Sequence, residues 1–135
     1  MRLLVRREHA AHELTQKLLR QGYVRAEVEL ALRECQTKGF QSDTRFAEML
    51  CRARIRQGYG PLRMIQELKM QQIDEAVAQA VFITEEVDWL LQARASLVKQ
   101  GWRWQEGECV QKQQRYLSAR GFPGEMIRAV LREKV

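Results

Sequence analysis

The sequence predicts an all-α protein: three tandem three-helix repeats forming an elongated, curved helical array, with the first helix of repeat one short. Three observations carry this. Apolar residues recur at helical spacing, as in Phe46, Met49, Leu50 and Ala53, and no stretch alternates with period two for long. Two prolines and eight glycines leave few breakers. One pattern also occurs three times. Leu14, Leu18, Gly22 and Tyr23 are followed by Val28, Ala31 and Leu32. Shifted by fifty, Met64, Leu68, Gln72 and Ile73 appear, then Val77, Ala80 and Val81 after a one-residue deletion. Shifted by ninety-nine, Leu117, Gly121 and Phe122 lead into Ile127, Val130 and Leu131. The repeats are bounded at residues 1–38, 42–83 and 84–135. Each is too small to bury its own apolar face, so stacked neighbours complete the core.

The elements follow in order. A short helix covers Leu3 to Glu8, then Ala11 to Gln21 and Arg25 to Thr37. Ser42 or Asp43 caps a helix through Gln57. Pro61 stands in the first turn of a helix to Gln71, where its missing N–H costs nothing. Asp74 caps a helix to about Ile83. A helix from the Thr84–Val87 region to Gln100 carries Glu85, Glu86 and Asp88 at its positive end. Residues 101–107 form a loop, followed by helices over Glu108 to Arg120 and Gly124 to Lys134. The residue after each repeated corner (Tyr23, Ile73, Phe122) is apolar and is expected to pin the corner to the core. Gln72 stands where the other two copies have glycine, so that corner must strain or use another turn.

Composition excludes several classes. The longest apolar runs are short and interrupted, so no transmembrane helix fits, and MRLLVRREH is not a signal peptide. The expected location is cytoplasmic. Cys35, Cys51 and Cys109 lack CxxC spacing and are expected to be reduced core thiols. There is no phosphate-binding glycine loop and no nucleophile elbow. His9 and His12 lack further ligands at a recognisable spacing and read as polar surface histidines. No enzyme, metal or cofactor is predicted.

Charge is unevenly placed. The net charge is +6. Residues 1–25 hold six basic against two acidic side chains, and 44–69 hold the same numbers. Residues 70–135 balance at nine against nine. Arg45, Arg52 and Arg56 fall within about 40° of one another on a helix. Arg63 and Lys69 follow on the next helix, with Tyr59 at the corner. Arg2 and Arg6 align with Arg52 and Arg56 in copy one. Such a row suits phosphates or carboxylates, because arginine offers a planar fork to both. Intramolecular pairs to Glu48 or Glu67 are the competing use. Trp102 and Trp104 fit either base stacking or a core cap at a repeat junction. A helix-turn-helix reader of duplex DNA is disfavoured, since the helices after Ile73 and Phe122 open on acidic residues that repel phosphate.

The stretch SDTRFAEMLCRARIRQGYGPLRMIQELKMQQID resembles the central signature of the RecX family, the regulatory proteins of the RecA recombinase. The matching positions are Asp43, Arg45, Phe46, Ala47, Gly58, Tyr59, Gly60, Pro61, Ile65, Glu67 and Leu68. The N-terminal RREHAAHELTQKLLRQGY is similar to the family's first-repeat run, and Asp88-Trp89 to its third-repeat start. The resemblance covers essentially the whole chain. It implies a modular helical protein that binds the RecA filament on DNA and lies in its groove. Such a protein inhibits filament growth, ATPase, strand exchange and coprotease activity, without chemistry of its own. The expected protein is a monomer with at most weak direct contact to single- or double-stranded DNA. Expected contact residues are Arg45, Arg52, Arg56 and Arg63, then Lys69, Arg2, Arg6 and Lys17. A general DNA-binding protein acting without RecA, or a helical protein-interaction adaptor, are the other readings of the same face.

Overall fold

The structure, a computed structural model, describes residues 7–101 and 110–132. Among the described residues there are eight helices and no strand. They are α1 (Ala11–Arg20), α2 (Arg25–Thr37), α3 (Asp43–Arg56), α4 (Pro61–Met70), α5 (Glu75–Thr84), α6 (Trp89–Lys99), α7 (Val110–Ala119) and α8 (Gly124–Arg132). The closest packing falls into sequential groups: α1 on α2, then α3 with α4 and α5, then α6 with α7 and α8. Of the expected leading helix, Arg7 and Glu8 are not helical, and Leu3 to Arg6 lie outside the described residues. Trp102, Trp104, Cys109 and the 102–107 loop also lie outside them.

One chain reversal is used throughout. Among the described residues, at six helix ends an N–H returns to the carbonyl five residues earlier: Tyr23 to Leu18, Phe40 to Cys35, Tyr59 to Arg54, Ile73 to Leu68, Val87 to Phe82 and Phe122 to Leu117. This is a Schellman closure, which satisfies carbonyls that the helix end leaves open. It needs a left-handed residue just before the returning N–H. Gln72 supplies one at φ 57 and Glu86 another at φ 52. The corner lacking glycine therefore makes the same turn under strain. The returning residue is apolar in all six cases.

The pinning role holds in two of the three repeated corners. Ile73 and Phe122 are buried, whereas Tyr23 is 53% exposed. Among the described residues α1 and α2 pack chiefly on each other, and the corner between them leaves Tyr23 half in solvent.

The acidic run is also placed differently from the expectation. α5 continues through Thr84, Glu85 is its C-terminal cap, and Glu86 is the left-handed turn residue. α6 starts only at Trp89, where Asp88 Oδ1 accepts the Leu91 N–H at 3.1 Å. α5 itself ends where expected, so the difference lies in the 85–88 segment, which closes α5 instead of opening α6. Glu85 thus stands at the negative end of a helix, an unfavourable place. The Arg52 guanidinium at 2.7 Å offsets it.

Among the described residues two apolar cores result. One joins Phe46, Ala47, Leu50 and Cys51 of α3 to Met64, Ile65 and Leu68 of α4, and to Ala78, Val81 and Phe82 of α5. The other joins Ala93 and Leu97 of α6 to Leu117, Phe122, Ile127, Val130 and Leu131. Trp89 packs against both, meeting the Phe82 ring edge-on at 5.0 Å. Cys35 and Cys51 are buried in the interior. Burial, with Glu85 and Glu67 nearby, pushes the Cys51 thiol up to about 11, so it stays protonated and inert at neutral pH.

Candidate partner-binding face

α3 carries the basic residues singled out in the sequence, and the structure gives them separate tasks. Arg45 lies in the first turn. Its Nε donates to Glu8 Oε1 at 2.9 Å and a terminal nitrogen donates to the Gly39 carbonyl at 2.6 Å. It therefore ties the chain before α1 and the corner after α2 to α3. Asp43 works at the same place. Ser42 Oγ caps α3 by accepting the Arg45 N–H, while Asp43 Oδ1 accepts the Ala11 N–H at 2.8 Å and so holds the start of α1. Gln41, buried, donates to Asp43 and to the His9 carbonyl.

Arg52, in the middle of α3, reaches Glu85 at 2.7 Å and Glu48 at 3.4 Å. Arg56 ends the helix, is exposed, and has no ion-pair partner among the described residues. Arg52 and Arg56 line one open cleft of about 510 Å³ with Ile55, Leu91 and the 85–88 turn. Arg54, on another side of α3, grips Glu67 of α4 through two hydrogen bonds at 2.7 and 2.8 Å. These bonds hold the Glu67 carboxyl below its ordinary range, outweighing the opposite effect of its partial burial; Arg63 adds to them.

Arg63 lies on α4, 3.3 Å from Glu67, with its guanidinium 4.6 Å above the Tyr59 ring. Lys69 is exposed in the last turn of α4. Lys17 Nζ sits 3.3 Å from His9 Nε2. Arg2 and Arg6 lie outside the described residues, so the echo of the arginine row in copy one does too. The arginine row is thus largely paired within the chain. Arg52 and Arg56 share a cleft, whereas Arg45 belongs to the joint before α3 and Arg63 to the joint after it.

His9 corrects an expectation. It is 3% exposed rather than a surface residue. Its ring Nδ1 is 2.9 Å from the Arg7 carbonyl, and desolvation lowers its proton affinity. A neutral ring protonated at Nδ1 donates to that carbonyl and leaves Nε2 to accept from Lys17.

The Gly58-Tyr59-Gly60-Pro61 corner has a structural task. The Gly60 N–H donates to the Arg120 carbonyl at 2.8 Å and the Leu62 N–H to the Gly121 carbonyl at 2.9 Å. Arg120 donates back to the Gln57 carbonyl and lays its guanidinium 3.8 Å above the Tyr59 ring. Tyr59 therefore sits between two arginines, a cation–π arrangement. A Cβ on Gly60 would lie 2.6 Å from the Gly121 oxygen, and one on Gly121 would lie 2.7 Å from the Arg63 nitrogen. Two backbones approach here as only glycine allows. Gln92 Nε2 adds bonds to the Ile55 and Tyr59 carbonyls at 2.8 and 3.3 Å, and Lys99 Nζ reaches the Arg56 carbonyl. Sequence reasoning missed Arg120 and Gln92. The one available signal was Arg120 itself, which fills the corner position held by Gln21 and Gln71 in the other copies.

Among the described residues no group of three His, Cys, Asp or Glu side chains is placed to hold a metal ion. No described helix is long and apolar enough to cross a membrane. The class defined is an all-α repeat protein whose units are joined by arginine- and backbone-mediated contacts.

Comparison with known proteins places it further. The model of the second three-helix domain of RecX matches residues 42–81. A Legionella pneumophila protein named regulatory protein RecX is 44% identical over 98% of this chain and 90% of its own length. The protein of that name from Acidithiobacillus ferrooxidans is 42% identical over 97% and 85%. That from Vibrio vulnificus is 35% identical over 99% and 89%. A crystal structure of regulatory protein RecX shares the fold, with a TM-score of 0.79 at 20% identity, over 95% of this chain and 67% of that one. The chain belongs to the RecX family.

Proposed function

We propose that this protein is a modulator, mainly an inhibitor, of RecA. It binds the RecA filament on DNA as a monomer and limits filament growth, ATPase, strand exchange and coprotease function. It does no covalent chemistry and acts in the cytoplasm. Family membership across nearly the full chain carries this reading. Three tandem units, 1–38, 42–83 and 84–135, present basic residues from the first two, with Arg56 and Lys69 exposed and unpaired among the described residues. Arg45, Arg52 and Arg63 reach a partner only by sharing or leaving their carboxylates. Lys17, Arg2 and Arg6 are added as contact residues on the sequence reading alone.

Fluorescence anisotropy with labelled single-stranded DNA, bare and RecA-coated, at two salt concentrations tests it. The reading predicts tight binding to the coated strand and weak, salt-sensitive binding to the bare one. Equal affinity for both, falling steeply with salt, identifies a general DNA-binding protein instead. Binding to neither leaves an adaptor for another protein.

A further inference from the structure

We infer that the cleft beside Arg56 docks a short protein segment carrying an apolar side chain next to an acidic one, and that it does not contact DNA. This rests on the reading above and names the part of the filament that the cleft meets, its protein surface. The cleft lies between the end of α3 and the start of α6 and is open to solvent, with a volume of about 510 Å³. Its apolar lining includes Ile55, Leu91 and Ala95. Leu91 is 59% exposed, a large apolar side chain left in water at the mouth of a concave site. Apolar concavity with a few convergent charges is the usual form of a binding site.

The charges decide the class of occupant. Arg56 is exposed and free of any ion-pair partner among the described residues. The lining also includes Glu86 and Asp88, both exposed. A nucleic-acid backbone is uniformly negative and would meet these carboxylates as like charges. A peptide carries both signs and matches a site of both signs. Its acidic residue faces Arg56, its apolar side chain covers Leu91, and any basic residue it carries faces Glu86. Arg52 is already held by Glu85 and Glu48, so it frames the site and leaves Arg56 as the anchor.

Leu91→Ser and Arg56→Glu both alter exposed side chains, so the fold is expected to survive, which helical circular dichroism checks. Affinity is read by anisotropy for RecA-coated and for bare single-stranded DNA. Each variant is expected to bind the coated strand at least tenfold more weakly, with bare-strand affinity within twofold of the parent protein. If Arg56→Glu weakens both strands in parallel and Leu91→Ser weakens neither, the cleft contacts phosphate and the proposal is overturned. Unchanged binding by both variants also overturns it, while the RecA reading stands. A parent protein that does not bind the coated strand removes both. Sedimentation adds a last check: a parent dimer that Leu91→Ser makes monomeric, with filament binding kept, gives the cleft to a second copy and overturns the proposal.

Discussion

Replacing Gly60 by alanine separates the packing of the repeat joint from backbone preference. Gly60 has φ −94° and ψ 177°, a region open to any L-residue. An isolated corner would therefore accept alanine, and loss of unfolded-state freedom would stabilise it by about 0.4–1 kcal/mol. In the folded chain the new Cβ meets the Gly121 oxygen at 2.6 Å, the Gly121 carbonyl carbon at 2.7 Å and Phe122 Cγ at 2.8 Å. Two of these are backbone atoms and the third belongs to a ring only 2% exposed, so none yields easily. Overpacking of this kind costs about 1–3 kcal/mol, and stretching the hydrogen bonds of Gly60 and Leu62 costs about 1 kcal/mol more for each one lost. The expected net loss is about 2–4 kcal/mol. Gly22→Ala is the control: φ is 98° there, and an added Cβ meets nothing within 4 Å. It carries only the left-handed penalty of about 1–2 kcal/mol. Urea unfolding followed by circular dichroism measures both. If Gly60→Ala proves neutral or stabilising, the two backbones do not touch at this corner, and the structural account of the glycine-tyrosine-glycine signature fails.

Two further outcomes follow from the corners and ion pairs. Gln72→Gly relieves a left-handed glutamine at φ 57 whose side chain is exposed, and should raise stability by up to about 1 kcal/mol. A loss in the same urea assay would mean that the glutamine side chain supports the turn. Glu67 is held below its ordinary value of 4.5, chiefly by the Arg54 hydrogen bonds. The unfolded chain then binds the proton more readily, so the contribution is complete above about pH 4.5 and fades as pH falls through the lower folded value. Glu67→Gln should flatten the acid limb of stability below that pH, by at most about 1 kcal/mol for a partly exposed pair. An unchanged acid limb would show that the Arg54 pair adds nothing.

Much of the fold was legible because its signals are local. Helical periodicity, the proline at the start of α4 and the repeated corner each act within a few residues. Helix ends were displaced where two starts compete, as at Glu85–Asp88, because a tertiary pair with Arg52 tolerates a carboxylate at the wrong helix end. The site was less legible. An arginine row on a helical wheel shows direction, not partners, and the partners Glu8, Glu85 and Gly39 are distant in sequence or lie on a loop. The same holds for Asp43, which reads as the cap of its own helix and caps α1. His9 was misjudged because two histidines beside charged residues look solvated, whereas Gln41 and Lys17 close over one of them. The glycine signature was recognisable by resemblance, but its cause is a contact with residues sixty positions away.

The most direct test of the central claim is RecA ATPase on single-stranded DNA, titrated with this protein. Inhibition at or below one protein per RecA monomer is predicted. Arg56→Glu should shift the titration to higher concentration while circular dichroism stays helical. An ATPase rate unchanged across the whole titration would contradict the account.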